Sequence, residues 1–228
     1  MAGRYEHRFF VAMAATALLI VVWGFTPTFF LRRPELPPLP ALVVAHGVAY
    51  TAWTLLFLGQ ALLVTAGRVR VHRQVGAAGA GLALAMIPLG YFTAIAGARR
   101  GHNPARWPDA LAFLAIPLVD VAVFGVLATT AVLVRRRPAA HKRLMLLATI
   151  SLLAAPLGRI PVVGDSPVLT IGVYSLLALI CPLADWIATR RVHPAFIWGP
   201  ALVVGTLPLR VVLGFSDTWH AVAEWLTR

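Results

Sequence analysis

The sequence predicts an all-α protein, a polytopic membrane helical bundle of about seven transmembrane helices with an interfacial helix at its C-terminal end. Three observations predict it. Of the 228 residues, 60% are hydrophobic and only 12% charged, with a mean hydropathy of +0.82, more apolar surface than one soluble core of this size can hide. Long apolar runs recur between short basic loops, and each has the roughly 20 residues that a helix needs to cross about 30 Å of hydrocarbon. The runs are apolar on every face, whereas a barrel strand alternates over about ten residues, so helices are the spanning structure.

In chain order the spans are expected at 9–30, 40–65, 75–98, 110–134, 144–160, 167–189 and 195–213. The first is too long for a secretory signal and lacks a small-residue cleavage site, so it is read as a retained helix. Between the first two lies the proline-rich stretch 31–40, and between the third and fourth the segment 99–109, with Gly101, Asn103, Pro104 and Pro108 as turn formers. Residues 216–228 place Trp219, Val222, Ala223 and Leu226 at i, i+3, i+4 and i+7. That spacing reads as an amphipathic helix lying on the membrane surface, with Trp219 and Trp225 available for docking to other membrane subunits. No soluble domain is inserted, so residues 1–228 form one transmembrane domain.

The formal net charge of +12 comes from basic residues dispersed among the loops, and no nucleic-acid partner is expected; the partner is the lipid bilayer. With the N-terminus in the cytoplasm, the inner side collects Arg4, Arg8, Arg68, Arg70, Arg73, Arg135, Arg136, Arg137, Lys142, Arg143, Arg190 and Arg191, and the outer side keeps eight. Twelve against eight favours a cytoplasmic N-terminus and an external C-terminus under the positive-inside rule. The single cysteine, Cys181, cannot form an internal disulfide, and cysteine-based zinc or iron–sulfur chemistry is excluded. The seventh span has no lysine and Lys142 is the only one in the chain, so a retinal Schiff base is not expected. No phosphate-cradling glycine loop, Gly-x-Ser-x-Gly, His-Glu-x-x-His or multi-histidine di-iron box occurs.

The histidines carry what chemistry remains. His7, His72, His141 and His193 fall at the inner ends of the odd-numbered spans, which start on one side of the membrane, so the four imidazoles share a depth. Imidazole is the common protein ligand of zinc, copper and haem iron, and two rings from different helices at one depth are what a bis-histidine haem requires. His72, His141, His193 and His7 are therefore candidate metal ligands, with haem b or a transition metal as the cofactor; the interfacial gathering of basic and aromatic residues gives the competing reading. The inner loops also repeat. His72, His141 and His193 are followed after 16, 15 and 15 residues by Pro88-Leu89, Pro156-Leu157 and Pro208-Leu209, which suggests three related helical hairpins behind one added helix.

His46 lies inside the second span, where an ionisable ring needs a partner or a function. It is the third candidate for holding a cofactor. Asp120, Arg159 and Arg210 are its expected partners, with Gln60 and Asp185 nearer the inner face. Such a cluster could hold a quinone carbonyl, relay protons or bind a small acidic molecule in a carrier, or it could be an ion-pair network that fixes helix packing.

As an ordered set, His46-Gly47, Gln60, Gly67-Arg68-x-Arg70-x-His72-Arg73, His141-Lys142-Arg143-Leu144-Met145 and Arg159 resemble an uncharacterised bacterial family of multi-pass membrane proteins over roughly residues 40–160. A looser similarity, in helix number and in histidines at helix ends, reaches the transmembrane cytochromes b and small membrane factors of haem–copper oxidase assembly. These resemblances imply a bacterial plasma-membrane protein in which His72 and His141 hold haem or a metal for electron transfer or oxidase maturation. They assign no reaction and no catalytic residue.

Overall fold

The computed structural model describes residues 2–104 and 107–228, with side chains from Tyr5 onward. Arg106 and the Arg4 side chain, both counted in the charge bias above, lie outside them. Seven helices are long and apolar enough to span a membrane, and the described residues contain no strand. The protein is an all-α, multi-pass membrane bundle.

Helix α1 covers Ala2–Phe25 and continues as a π-helical turn over Thr26–Phe30. Pro27 removes a backbone donor from the regular ladder, and the wider turn restores bonding through Leu31 N–H to the Thr26 carbonyl at 2.8 Å. Helices α2 (Ala41–Thr65) and α3 (Val69–Arg99) follow, then α4 (Ala110–Leu133) and α5 (Pro138–Ser151). Single helical turns α6 (Ala154–Leu157) and α7 (Pro161–Gly164) lead to α8 (Pro167–Thr189), α9 (Ala195–Gly214) and α10 (Asp217–Thr227).

Besides α1, which begins at Ala2, two helix starts lie upstream of expectation, and both matter. α3 begins at Val69 and α5 at Pro138, six residues before each expected start. Arginine, lysine and histidine sustain a helix well and carry their charge out to the interface, so hydropathy marks the membrane edge and not the helix end. Pro138, with its fixed φ and missing donor, suits the first helical position. The fifth span is also not one continuous helix. Pro156 has no N–H for the Leu152 carbonyl and its ring crowds that group, which ends the regular ladder at Ser151.

α5 is the axis of the bundle. It touches α1, α2, α4, α8 and α9, while α1, α2, α3, α4, α9 and α8 close a ring around it in that order. Of its most apolar stretch 61% is buried, against at most 39% in any other span, and its mean hydropathy of 1.2 is the lowest of the seven. A central helix is shielded from lipid by protein and so has no need of an all-apolar surface. The ring helices do face lipid, and Leu19, Trp23, Leu84, Leu133, Val168 and Val212 are exposed for that reason. Close approaches are set by small residues: a Cβ on Gly24 of α1 would lie 2.3 Å from the Pro156 carbonyl oxygen. The proposed hairpins α2–α3, α4–α5 and α8–α9 are each packed pairs, although α5 alone of their members is central.

The C-terminal helix is docked, and its inward face differs from the expected one. Ala223 is buried, but Val222 is 43% exposed and Trp225 68%. Trp219 donates its indole N–H to the Leu111 carbonyl at 2.8 Å, and His220 faces Asp109, the N-cap of α4. His220 Nδ1 lies 3.1 Å from the Ser216 carbonyl and Nε2 lies 3.1 Å from Asp109 Oδ2. Both partners only accept, so the geometry is complete when both ring nitrogens carry hydrogen. Hydrogen bonding to Ser216 and then to Asp109 raises the His220 pKa above its ordinary value. The Ala112 N–H and, behind it, His220 lower that of Asp109.

The sign follows from linkage. The His220 contribution is complete below the ordinary imidazole range and is lost as pH rises through the raised value. That of Asp109 is complete above the ordinary carboxylate range and is lost as pH falls through the lowered value. Both groups are substantially exposed, so the effect is about 1 kcal/mol or less. Protection of the α10 amides, their exchange rate relative to an unstructured amide at the same pH, should be greatest in mildly acidic buffer and fall above neutrality; His220→Gln should flatten that profile, and a wild-type protection profile without a maximum would refute a role for the His220–Asp109 contact.

Candidate functional site

Of the four histidines expected at one depth, the fold joins two. His72 and His141 are each the fourth residue of their helix, α3 and α5, and their rings stand 6.4 Å apart, centroid to centroid, with planes inclined by 76°. α3 packs on α2 and α4 and makes no comparable contact with α5, so the two imidazoles bridge a gap between helices. Both are partly buried.

Their hydrogen bonds set the ring nitrogens. His141 Nδ1 lies 2.8 Å from the Ala131 carbonyl, one of the last carbonyls of α4, which the helix leaves without a partner. A carbonyl accepts only, so Nδ1 bears the hydrogen and the neutral ring keeps a free lone pair on Nε2. This is how metal-bound histidines are held in position. His72 is gripped by Gln60. The Gln60 amide nitrogen donates to the His72 carbonyl at 3.1 Å and to Nδ1, and its oxygen accepts from the Gly76 N–H at 3.2 Å, the orientation that pairs every donor with an acceptor. Gln60, expected among substrate ligands, is thus the partner of a histidine.

Two imidazoles bound to one metal at about 2 Å have centroids roughly 5 Å apart in a tetrahedral pair and a little over ~6 Å apart when trans. The observed centroid spacing of 6.4 Å falls at the upper end of that range. The described residues contain no group of three or more His, Cys, Asp or Glu placed to hold a metal ion, so a closed four-ligand protein site is not formed.

His193 and His7 do not join the pair. His193 sits before Pro194, and its Nδ1 accepts from the Ala195 N–H at 3.1 Å, serving as a cap for α9. Burial first, then the Arg143 charge, lowers its pKa. His7 is exposed on α1. Beside His193 stands a buried ion pair that charge counting alone treats as a topology signal. Arg143 meets Asp185 with two bonds, Nε to Oδ2 at 2.8 Å and Nη2 to Oδ1 at 2.6 Å. Arg143 also reaches Glu6 Oε1 at 3.2 Å and lies over the Phe196 ring, and Asp185 Oδ2 accepts from His193 N–H at 3.1 Å. The network ties α1, α5, α8 and α9 together at the basic end, and Asp185 is structural there.

The opposite half of the bundle holds the remaining candidates, and their pairing differs from expectation. Asp120 of α4 pairs with Arg210 of α9, Oδ1 to Nη1 at 2.7 Å. Arg210 is 1% exposed, lies over the Tyr174 ring and reaches Thr206 Oγ1 at 3.3 Å. Arg159 donates to the Ala155 carbonyl and stands over Phe25. His46 stacks on Tyr50 with centroids 4.0 Å apart. Fourteen residues separate His46 from Gln60 on one helix, about 20 Å, so His46 cannot share a cofactor with His72 and His141. Tyr50 and Tyr174 were not expected in this cluster; Tyr50 has a signal in the sequence, one turn after His46 on the same face.

No family model matches the chain, and neither a curated protein nor a solved structure matches it.

Proposed function

We propose that this is a bacterial plasma-membrane protein, with its N-terminus in the cytoplasm, that binds haem b or a transition metal between His72 and His141 and serves electron transfer or the maturation of an oxidase. The observation that supports the reading is the approach of two imidazoles from separate helices, one of them with Nδ1 held by a backbone carbonyl. A haem suits a site with only two protein ligands, because the porphyrin supplies the other four. Arg68, Arg70 and Arg73 on one side and Arg135, Arg136 and Arg137 on the other flank the pair in sequence, as anionic propionates require. A group held by His72 Nε2 would require the ring hydrogen on Nδ1, the nitrogen beside the Gln60 amide.

The test is the visible spectrum of protein purified from cells supplied with iron and a porphyrin precursor, together with metal analysis. A Soret band at about one haem per chain, or a stoichiometric transition metal, is expected. Protein with neither would sink the proposal.

A further inference from the structure

We propose that the outer half of the bundle, about 20 Å from the histidine pair, contains a second site, built by His46, Asp120 and Arg210, for a neutral planar ring carrying hydroxyl or carbonyl groups, of the quinol and quinone class.

The three residues converge for a geometrical reason. α2 and α4 run in the same direction, and Tyr50 of α2 meets Phe124 of α4 with centroids 6.5 Å apart. His46 lies four residues before Tyr50, and Asp120 four residues before Phe124. Residues at i and i+4 share a helix face, so His46 and Asp120 sit side by side one turn further out along the same gap. Arg210 closes the gap from α9 through its contact with Asp120. The end of α5 forms the floor, because the Ser151 carbonyl accepts from the Tyr174 hydroxyl at 3.3 Å, and Tyr174 lies under the Arg210 guanidinium at 5.9 Å. A spanning helix that stops at membrane depth is tolerated where it lines a cavity or is covered by protein.

The unused polar atoms point to a ligand. Among the described residues only four buried side-chain atoms lack a hydrogen-bond partner, and two of them, His46 Nδ1 and Arg210 Nε, are served by no ion pair either. Asp120 Oδ1 is held by Arg210 Nη1 at 2.7 Å, so the pair leaves the Arg210 Nε donor free. Buried polar atoms are normally satisfied, and ionisable groups at this depth mark functional sites. The Asp120 carboxylate and Arg210 guanidinium cancel in charge, and Arg159, the further charge that acts on His46, is itself engaged by the Ala155 carbonyl and the Phe25 ring, so the pair favours a neutral guest. A guest that accepts from Arg210 Nε and bonds the His46 ring nitrogen, which donates or accepts according to its tautomer, matches what is free, and the aromatic walls of Tyr50, Phe124 and Tyr174 suit a flat ring that arrives through the bilayer.

The test uses the full chain in phosphatidylcholine nanodiscs and a decyl-substituted benzoquinol with its quinone, with binding followed by equilibrium dialysis. Saturable binding of one molecule per chain is expected, weakened about tenfold or more by His46→Leu and by Asp120→Asn, and unchanged by His7→Gln, a change at an exposed residue of α1. His46→Leu leaves the ion pair intact and decides the matter if Asp120→Asn does not fold. The inference is overturned if neither quinol nor quinone saturates, if His46→Leu binds as the wild type does, or if benzoate binds in their place. Because haem or metal loading of the same samples is read separately by absorbance and metal analysis, failure here and failure of the haem or metal reading are distinguishable.

Discussion

Replacing Arg143 by Met is expected to cost about 3–5 kcal/mol of stability, because it strands the buried Asp185 carboxylate without its cation. Both side chains are 7% exposed, and among the described residues Asp185 has no second cation in contact, only the His193 N–H. The loss spreads beyond the pair. Arg143 also holds Glu6 of α1 and caps the Ala139 carbonyl, so α1, α8 and α9 lose a common anchor on the central helix. Two comparisons separate this from a general effect of mutating an inner arginine. The double change Arg143→Met with Asp185→Leu removes both charges and should recover much of the loss, since apolar replacement of a whole buried pair is often neutral. Lys142→Gln removes a partly exposed partner of Glu6 and should cost about 1 kcal/mol or less. Unfolding followed by circular dichroism in detergent reads all three. A single Arg143→Met variant as stable as the wild type would show that the anchor does not hold the bundle.

The contrast between Arg143 and its neighbours shows where the sequence is legible. Seven apolar runs of membrane length need no tertiary information, because each helix must satisfy its own backbone in lipid. The positions of His72 and His141 at one depth follow from the same reasoning. What hydropathy cannot supply is which span stands at the centre. The fifth run is the least apolar, which resembles weakness in the pattern and is in fact the mark of a helix screened by the five spans it touches. Once α5 is central, Arg143 must be paired internally, whereas Arg135 to Arg137, just before the helix begins, remain exposed. Pairing is likewise a three-dimensional property. Asp120 has Arg159 and Arg210 as equal candidates in the sequence, and only the position of α9 beside α4 chooses Arg210. His193 was grouped with His72 by its distance to a following proline, but Pro194 turns the chain there and commits its imidazole to capping.

The second large effect concerns loading of the histidine pair. His141→Gln and His72→Gln should each abolish the low-spin spectrum, or the stoichiometric metal, because two protein ligands leave no substitute when one is removed. A merely interfacial histidine would tolerate both changes without a spectral consequence. Gln60 offers a finer test. Gln60→Leu removes the group that orients His72 but leaves both imidazoles, so affinity should fall about 10–100-fold, as for other partners behind a metal ligand. Gln60→Glu should restore binding, since a carboxylate holds His72 Nδ1–H more firmly than an amide does, and for a haem it should shift the reduction potential downward by making the imidazole a stronger donor. His141 is oriented by a backbone carbonyl, which no side-chain change removes, so its ring should stay in place in every Gln60 variant. Loss of signal in the histidine variants, weakening in Gln60→Leu and a displaced potential in Gln60→Glu form a pattern that helix packing alone does not produce. Equal spectra across all four proteins would place the bound group elsewhere in the chain.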